Sequence, residues 1–204
     1  MSSHVADVPA AAHRHDAMPA ENQRLGFWIF LGSECTFFAS LIGTYLALHS
    51  RNMQGLGPRQ LFDIPYAAVL TFILLASSLT MGLGVAAMGR GDKRTMRLWL
   101  IVTAVLGLIF LGMQVNEFAT YWGAGLHLNS SLFGASFYTL VGFHGLHVTF
   151  GVTWIIALLV FSWRSKDLTE KQTVYFETAA LYWHFVDVVW ILIFSIVYLV
   201  GVLQ

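Results

Sequence analysis

One hydrophobic run near the C-terminal end of the chain, residues 174–203, carries three ionisable side chains in its first half. Glu177 and His184 are seven residues apart, so on an α-helix they lie about 20° from each other, and Asp187 lies about 60° to one side. An ionised side chain at the centre of a bilayer costs roughly 2.5–3.5 kcal/mol. We therefore expect this polar face to meet protein, water or a polar ligand, and not lipid.

The composition indicates an integral membrane protein. Of the 204 residues, 57% are hydrophobic and 11% are charged, whereas soluble domains have about 25% charged residues. Several apolar stretches are long enough to cross about 30 Å of hydrocarbon, and short polar connections separate them. The sequence therefore predicts an all-α, polytopic membrane helix bundle with five transmembrane helices. The predicted spans are residues 25–48, 64–88, 98–118, 132–163 and 174–203.

Basic residues are unevenly distributed between the two sides of such a bundle. Nine Lys and Arg residues fall on the side of the N-terminus and two on the other side. The positive-inside rule then predicts a cytoplasmic N-terminus and an outer C-terminus. Residues 1–24 lack an apolar core, so we expect a flexible cytoplasmic tail there and a transmembrane domain over residues 25–204. The formal net charge is zero, which gives no indication of a nucleic-acid partner.

Three further residues with polar or reactive side chains lie inside the predicted spans. Glu34 lies about one third of the way into the first span, and it is either hydrogen-bonded to a neighbouring helix or a proton-accepting or lipid-contacting carboxyl. Glu117, near the outer end of the third span, is expected to reach the interface. Cys35 is the only cysteine, which excludes an internal disulfide and covalent c-type haem, and it is expected to be a small core residue.

Two histidines in the fourth span, His144 and His147, are three residues apart and share one side of a helix. Such a pair can be half of a metal site or can ligate haem, but the recurring Glu-x-x-His of a di-iron bundle is missing. We favour a buried hydrogen-bonded network between the fourth and fifth spans. Its expected members are His144, His147, Glu177, His184 and Asp187.

Aromatic and small residues suggest how the helices pack. Trp183 and Trp190 are seven residues apart and form a stripe beside the polar face of the fifth span. We expect this stripe to pack against another helix, although such a surface can also hold lipid chains or a partner subunit. Glycines in the second and fourth spans favour close helix approach. They are Gly82, Gly84, Gly142, Gly145 and Gly151.

Two strings carry a family resemblance: GFHGLHV at residues 142–148 and FETAALYWHFVDVVW at residues 176–190. Together they resemble subunit III of the haem-copper terminal oxidases. Shorter matches lie upstream, at Ser33-Glu34, Phe37-Phe38, residues 91–96, Gln114 and Glu117-Phe118. The resemblance covers residues 25–202. The long form of this family has seven spans, so the chain is similar to the short, five-helix bacterial form.

The resemblance implies a subunit of an enzyme that reduces O2 to water and pumps protons across the bacterial plasma membrane. In this family subunit III carries no haem or copper and no catalytic redox centre, since these lie in partner subunits. It stabilises subunit I, holds phospholipid and supports proton uptake, and Glu34 matches the family's membrane-embedded carboxyl. The implied partners are subunit I as the main contact, subunit II, a small subunit IV and membrane lipid.

Several functional alternatives stay open at this point. The motifs favour cytochrome c as the electron donor, with the same subunit of a quinol oxidase as the alternative. From the residues alone, Glu34 and the His/Asp cluster also allow a stand-alone proton-coupled transporter, although the inverted repeats typical of transporters are not visible. No nucleophile–base pair, phosphate loop or dinucleotide fingerprint is present, so no residue is assigned a catalytic role.

Overall fold

The computed structural model describes residues 20–49, 63–128, 131–164 and 170–200. All regular structure in these residues is helical, and five helices are long and apolar enough to cross a membrane, which confirms the predicted fold class. We label them α1 to α5, and a π-helical segment, Phe194–Val200, follows α5. Their bounds are Ala20–His49, Ile64–Gly89, Lys93–Gly123, Leu132–Arg164 and Glu170–Ile193.

The helices extend beyond the apolar stretches that predict them. Helix α1 begins five residues before the predicted span, and α3 extends five residues beyond it at each end. Hydropathy marks the part of a helix that contacts hydrocarbon, whereas polar turns at its ends can remain helical in the headgroup region. Of the predicted tail, residues 1–19 lie outside the described residues.

A short turn joins α2 to α3, and two features of the sequence define it. Gly91 has φ +75°, a left-handed conformation that glycine adopts without strain. Asp92 then caps α3, because its carboxylate accepts hydrogen bonds from the Thr95 hydroxyl and from the backbone N–H groups of Arg94 and Thr95. The bonds from Thr95 hold the pKa of this carboxyl below its usual range.

Helix α5 is the central element of the bundle, since it packs against α1, α2 and α4. Helices α2 and α3 form an antiparallel hairpin, and α4 packs on α3. Helix α1 is peripheral and packs mainly on α4 and α5. Among its described side chains the buried ones are Leu31, Phe38 and Tyr45, which are seven residues apart and form one narrow stripe.

The narrow contact of α1 explains why the expectation for Cys35 is wrong. Cys35 is exposed on the surface of the chain. It lies beside the buried stripe of α1 and not within it, so no other helix of the described chain covers it.

Trp183 is buried and packs closely between two glycines on neighbouring helices. A Cβ atom at Gly107 in α3 would lie 2.8 Å from the Trp183 ring, and a Cβ atom at Gly151 in α4 would lie 2.9 Å from it. Both separations are shorter than a carbon–carbon contact allows, so a side chain at either position would push the indole out. The absence of a side chain at these two glycines therefore leaves room for the Trp183 ring between α3 and α4.

The other glycines predicted to mediate packing divide into two groups. Gly84 faces Trp99, with 3.5 Å between a Cβ atom at the glycine and the Trp99 Cβ atom, and Gly145 faces the Gln114 side chain at 3.4 Å. Gly82 and Gly142 have open space around the position of a Cβ atom. Small residues in a membrane helix thus mark a close helix contact at some positions only.

We expect Gly151→Ala to lower the free energy of unfolding by about 1–3 kcal/mol, since the new methyl group overlaps the Trp183 ring. Gly142→Ala, on the same helix, is the matched control. It should be neutral or slightly stabilising, because its Cβ atom meets nothing and alanine is the better helix former. Unfolding of the full chain in mixed micelles measures both effects. Equal effects of the two substitutions would contradict the proposed close contact.

Candidate functional site

A pair of partly buried polar side chains joins α1 to α4 inside the membrane-spanning region. The Glu34 Oε2 atom lies 3.1 Å from the His147 Nε2 atom, and about a fifth of each side chain is exposed. The other ring nitrogen of His147, Nδ1, lies 2.7 Å from the backbone oxygen of Phe143. Of the two expectations for Glu34, the structure places it in a hydrogen bond to a neighbouring helix.

The hydrogen-bond partners of His147 define where protons can be. The Phe143 oxygen can only accept, so Nδ1 of His147 carries a hydrogen. A hydrogen bond between the Glu34 and His147 atoms that face each other requires one further proton, on one atom or the other. When Nε2 holds it, the pair is a carboxylate beside an imidazolium, and when Oε2 holds it, a carboxylic acid beside a neutral imidazole. The pair is neutral overall in both states, which suits its depth in the membrane.

A second pair joins α1 to α5 nearer the end of the bundle. The Arg24 Nη2 atom lies 2.7 Å from the Glu177 Oε2 atom, and the two side chains are 53% and 38% exposed. Exposed ion pairs contribute about 0–1 kcal/mol, so this pair orients α1 more than it stabilises the fold. Glu34 lies about 15 Å further along the same helix, at 1.5 Å per residue. Helix α1 is thus held by polar contacts at two levels.

The polar face of α5 is satisfied mainly by hydroxyl groups on α2. Ser78 Oγ lies 2.6 Å from His184 Nδ1, and the Trp183 indole N–H donates to Ser77 Oγ at 3.1 Å. About two turns further along each helix, the Trp190 indole N–H donates to Thr71 Oγ1 at 3.0 Å. The two tryptophans are therefore buried and hydrogen-bonded.

Asp187 lies beside the same Ser78 hydroxyl. Only 5% of this residue is exposed, and its Oδ1 atom has no hydrogen-bond partner in the described part of the chain. The Ser78 hydroxyl can accept from His184 and donate to Asp187, which would place the three groups in one chain of hydrogen bonds.

His144 is fully buried and enclosed by aromatic rings. It stacks on Trp190, with 5.0 Å between ring centroids, and meets the edge-on ring of Phe110 at 5.9 Å. Neither of its ring nitrogens has a hydrogen-bond partner within the described residues. Among those residues no three of His, Cys, Asp and Glu come together in a group that could hold a metal ion.

The expected mutual network between α4 and α5 is therefore replaced by contacts at several interfaces. His147 bonds to α1, Glu177 bonds to α1 and His184 bonds to α2, while His144 makes ring contacts only. The physical reason is that helical periodicity defines which residues share a face but not which helix that face meets. The hydroxyl groups of α2 gave no signal in the sequence, because serine and threonine are common in membrane helices and need no partner outside their own helix.

The expectation that Glu117 reaches the interface is wrong. Glu117 is only 4% exposed and accepts hydrogen bonds from the Tyr121 hydroxyl at 2.7 Å and the Tyr198 hydroxyl at 3.0 Å. The spacing of four between Glu117 and Tyr121 on one helix is a signal that could have indicated the first bond. The second depends on the π-helical segment that carries Tyr198, and periodicity does not predict it.

Comparison with known proteins identifies the family. The family model for cytochrome c oxidase subunit III matches residues 5–202. The chain belongs to this family. It is a multi-pass protein of the bacterial plasma membrane and a subunit of a terminal oxidase.

Relatives of the chain are named as subunits of cytochrome c oxidases and of quinol oxidases. The chain is 43% identical to cytochrome c oxidase subunit 3 of Bacillus sp. strain PS3, over 95% of this chain and 93% of that protein. It is 41% identical to quinol oxidase subunit 3 of Bacillus spizizenii, over 94% and 97% of the two chains. It is 39% identical to cytochrome bo(3) ubiquinol oxidase subunit 3 of Pseudomonas aeruginosa, over 100% and 98%.

In this subunit III chain we expect Ser78 and His184 to stabilise the bundle as one unit. Ser78→Ala, His184→Ala and the double variant form a cycle, and buried polar pairs in membrane proteins couple by about 0.6 kcal/mol, with values up to about 1.7. Because the 2.6 Å contact is short, we expect a coupling energy in the upper part of that range. Unfolding in mixed micelles measures it.

The matched control for this cycle uses Ser40 in place of Ser78. Ser40 is exposed on α1 and bonds to its own helix, at the Phe37 oxygen. Ser40→Ala and His184→Ala should be additive. Additivity of Ser78→Ala and His184→Ala would show that the contact contributes nothing to stability.

Proposed function

We propose that this chain is an accessory, non-redox subunit of a proton-pumping haem-copper oxidase, with the haem and copper bound by subunits I and II. The single observation that carries the proposal is the family match over residues 5–202, which leaves almost no part of the chain for another role. In this proposal the chain stabilises subunit I, which is its main contact, and it also meets subunit II and a small subunit IV.

The contacts that the histidines of the spans make support the assignment as a non-redox subunit. His147 uses both ring nitrogens in contacts with Phe143 and Glu34, and His184 uses Nδ1 in its contact with Ser78. His144 stacks on Trp190 and meets the ring of Phe110 edge-on. In this proposal each imidazole serves as a structural group of the bundle.

A role in proton uptake is supported by the bridging proton between Glu34 and His147. The pair changes its charge distribution but not its net charge when the proton moves between the two atoms. Both side chains are partly exposed, so the pair is open to the surroundings of the chain. The positive-inside rule would orient α1 with its first residues towards the cytoplasm.

A role in holding lipid is supported by a cavity beside this pair. The cavity has a volume of about 320 Å3 and an apolar lining from α1, α4 and α5. An acyl chain is the simplest occupant for an apolar cavity of a membrane protein that opens to its surface. The lining residues are Phe30, Phe143, Leu146, His147, Phe150 and Tyr182.

We favour cytochrome c as the electron donor, and the alternative is a quinol. The favoured donor is supported by the GFHGLHV and GDK motifs and by the relative from Bacillus sp. strain PS3. The alternative is supported by relatives from quinol oxidases that are nearly as similar, at 41% and 39% identity. Since subunit III does not take part in electron entry, the sequence of subunit II decides the donor. A two-cysteine copper site there would indicate cytochrome c.

The proposal is tested by purifying the oxidase through an affinity tag on this chain. We expect haem-bearing and copper-bearing partners to co-purify, and the complex to consume O2 with reduced cytochrome c more rapidly than with a quinol. We expect the chain expressed without its partners to show no Soret band. A haem spectrum of the isolated chain would contradict the proposal, and proton-coupled solute flux into liposomes containing only this chain would indicate a transporter instead.

For Glu34→Gln we expect near-normal assembly with a lower proton-uptake rate. The glutamine amide can donate to Nε2 of His147 and keep α1 on α4, but it cannot hold the bridging proton. Glu34→Leu is the comparison, because it removes the proton and the hydrogen bond and should weaken retention of the chain as well. Complex yield and the pH dependence of O2 reduction measure the two effects. Loss of the assembled complex in Glu34→Gln would contradict the assignment.

A further inference from the structure

Small side chains run along the face of α4 that lies between its contacts with α1 and α3, and we call this face the α4 stripe. Its residues recur at alternating spacings of four and three, which keeps them on one side of the helix. Each of them is at least partly exposed on the surface of the chain. In membrane proteins such a face lets a second helix approach closely. The members are Ala135, Thr139, Gly142 and Thr149, with Leu146 as the one large residue among them.

Two small cavities adjoin the α4 stripe. The first, of about 200 Å3, lies between α4 and α1, and Ala135 and Thr139 are in its lining. The second, of about 180 Å3, lies between α4 and α3, and Gly142 and Thr149 are in its lining. Both volumes are below the range of about 300–1,000 Å3 that small-molecule sites have. Depressions of this size beside a helix fit the side chains of a second helix that packs across it.

The second cavity contains a buried amide with an unused acceptor. Gln114 is only 3% exposed, and its Nε2 atom donates to the Val141 backbone oxygen at 3.0 Å. Its Oε1 atom has no hydrogen-bond partner within the described residues. The amide is part of the cavity wall, and Oε1 lies 3.4 Å from the position of a Cβ atom at Gly145. Because a buried amide oxygen without a donor is destabilising, this position requires a donor from outside the described part of the chain.

Gly142 is an independent indication of close approach by another molecule. No described atom outside its own helix lies within 4 Å of the position of its Cβ atom, so the packing of this chain does not require a glycine there. Gly107 and Gly151 differ in this respect, since the Trp183 ring lies against both. Alanine is the better helix former. A glycine at position 142 is therefore explained by a backbone that approaches α4 from outside.

The amide distinguishes among the possible occupants of this surface. An acyl chain would cover the apolar lining but has no donor for Gln114. Buried water typically makes about three hydrogen bonds. The only other polar side chain in the lining, that of Thr149, already donates to the Gly145 backbone oxygen. A helix with a polar side chain fills the cavity and supplies the donor.

We propose that the α4 stripe docks one transmembrane helix of a partner subunit, which crosses α4 at Gly142 and donates a hydrogen bond to Gln114 Oε1. The donor is the neutral hydroxyl, amide or indole N–H group of a side chain on that helix, since a charged donor is costly at this depth. The inference rests on the proposed function, because it takes the partner to be a subunit of the oxidase. It does not depend on the electron donor or on a proton role for Glu34.

The contact is tested by a photoreactive amino acid at position 149 of this chain in the assembled oxidase. Thr149 is exposed and lines the second cavity. After irradiation of native membranes, mass spectrometry of the purified complex should identify a cross-link to a transmembrane helix of a partner subunit. That helix should carry a Ser, Thr, Asn, Gln, Tyr or Trp within one turn of the cross-link. The matched control is position 109, because Ile109 is 45% exposed on α3 but lies about 140° around that helix from Gln114. It should give no cross-link to the same helix.

Two glycine variants measure the close approach. Gly142→Leu should raise the dissociation constant of the cross-linked subunit about fivefold or more, the ratio that corresponds to about 1 kcal/mol for a side chain forced into a packed contact. Gly112→Leu on α3 is the control and should change it less than twofold, because Gly112 also has open space around it but lines neither cavity. Dilution of the purified complex measures both values. Unfolding of the chain without its partners should be unaffected by either variant.

The hydrogen bond is tested by a double-mutant cycle. It combines Gln114→Leu with removal of the donor that the cross-link identifies. We expect the two effects on the dissociation constant to differ from additivity by about threefold, the ratio that corresponds to the average of about 0.6 kcal/mol for such pairs in a membrane protein.

Several results would overturn the inference. Position 149 would then cross-link only to lipid, to a second copy of this chain, to a helix without a donor, or to nothing. Equal effects of Gly142→Leu and Gly112→Leu, or additivity in the cycle, would also contradict it. In each of these cases the oxidase still co-purifies with the tagged chain, so the proposed function stands. Failure of any oxidase subunit to co-purify would remove both.

Discussion

A bilayer offers no hydrogen-bond partners, so the polar side chains of a membrane bundle have to find theirs within protein. The arrangement of this chain follows from that constraint, and α5 is the helix on which it acts most strongly. Trp183 of α5 lies between Gly107 of α3 and Gly151 of α4, so its ring packs closely against both glycines. This position turns His184 and Trp190 towards the hydroxyl groups of α2. The small residues and the polar residues thus act together to define one packing.

Helix α1 is held differently, and the difference matters for function. Its apolar contact is a single stripe, and two polar pairs to α4 and α5 supplement that contact. Much of its surface is exposed along the chain, as expected for a helix that meets lipid or another subunit. The Glu34–His147 pair is the structural contact at the deeper of the two levels, and the proposed role in proton uptake is assigned to the same two side chains.

The sequence was sufficient to predict the parts of the structure that depend on local properties. Hydropathy predicted the five helices, and the strings around His144 and His184 identified the family. What it did not predict depends on which helices become neighbours. The polar face of α5 was recognised, but its partner Ser78 was not, because a serine in a membrane helix is usually satisfied by its own backbone. The burial of Glu117 was not predicted for a similar reason, since its second hydrogen-bond partner, Tyr198, belongs to a π-helical segment.

The central claim is that the polar residues of the spans build the subunit and that redox chemistry takes place in its partners. The most direct test is the haem and copper content of the purified oxidase, measured per copy of subunit I before and after this chain is removed with detergent. The account predicts that both contents stay unchanged and that the depleted complex still reduces O2. Loss of haem or copper in proportion to the amount of this chain removed would contradict it.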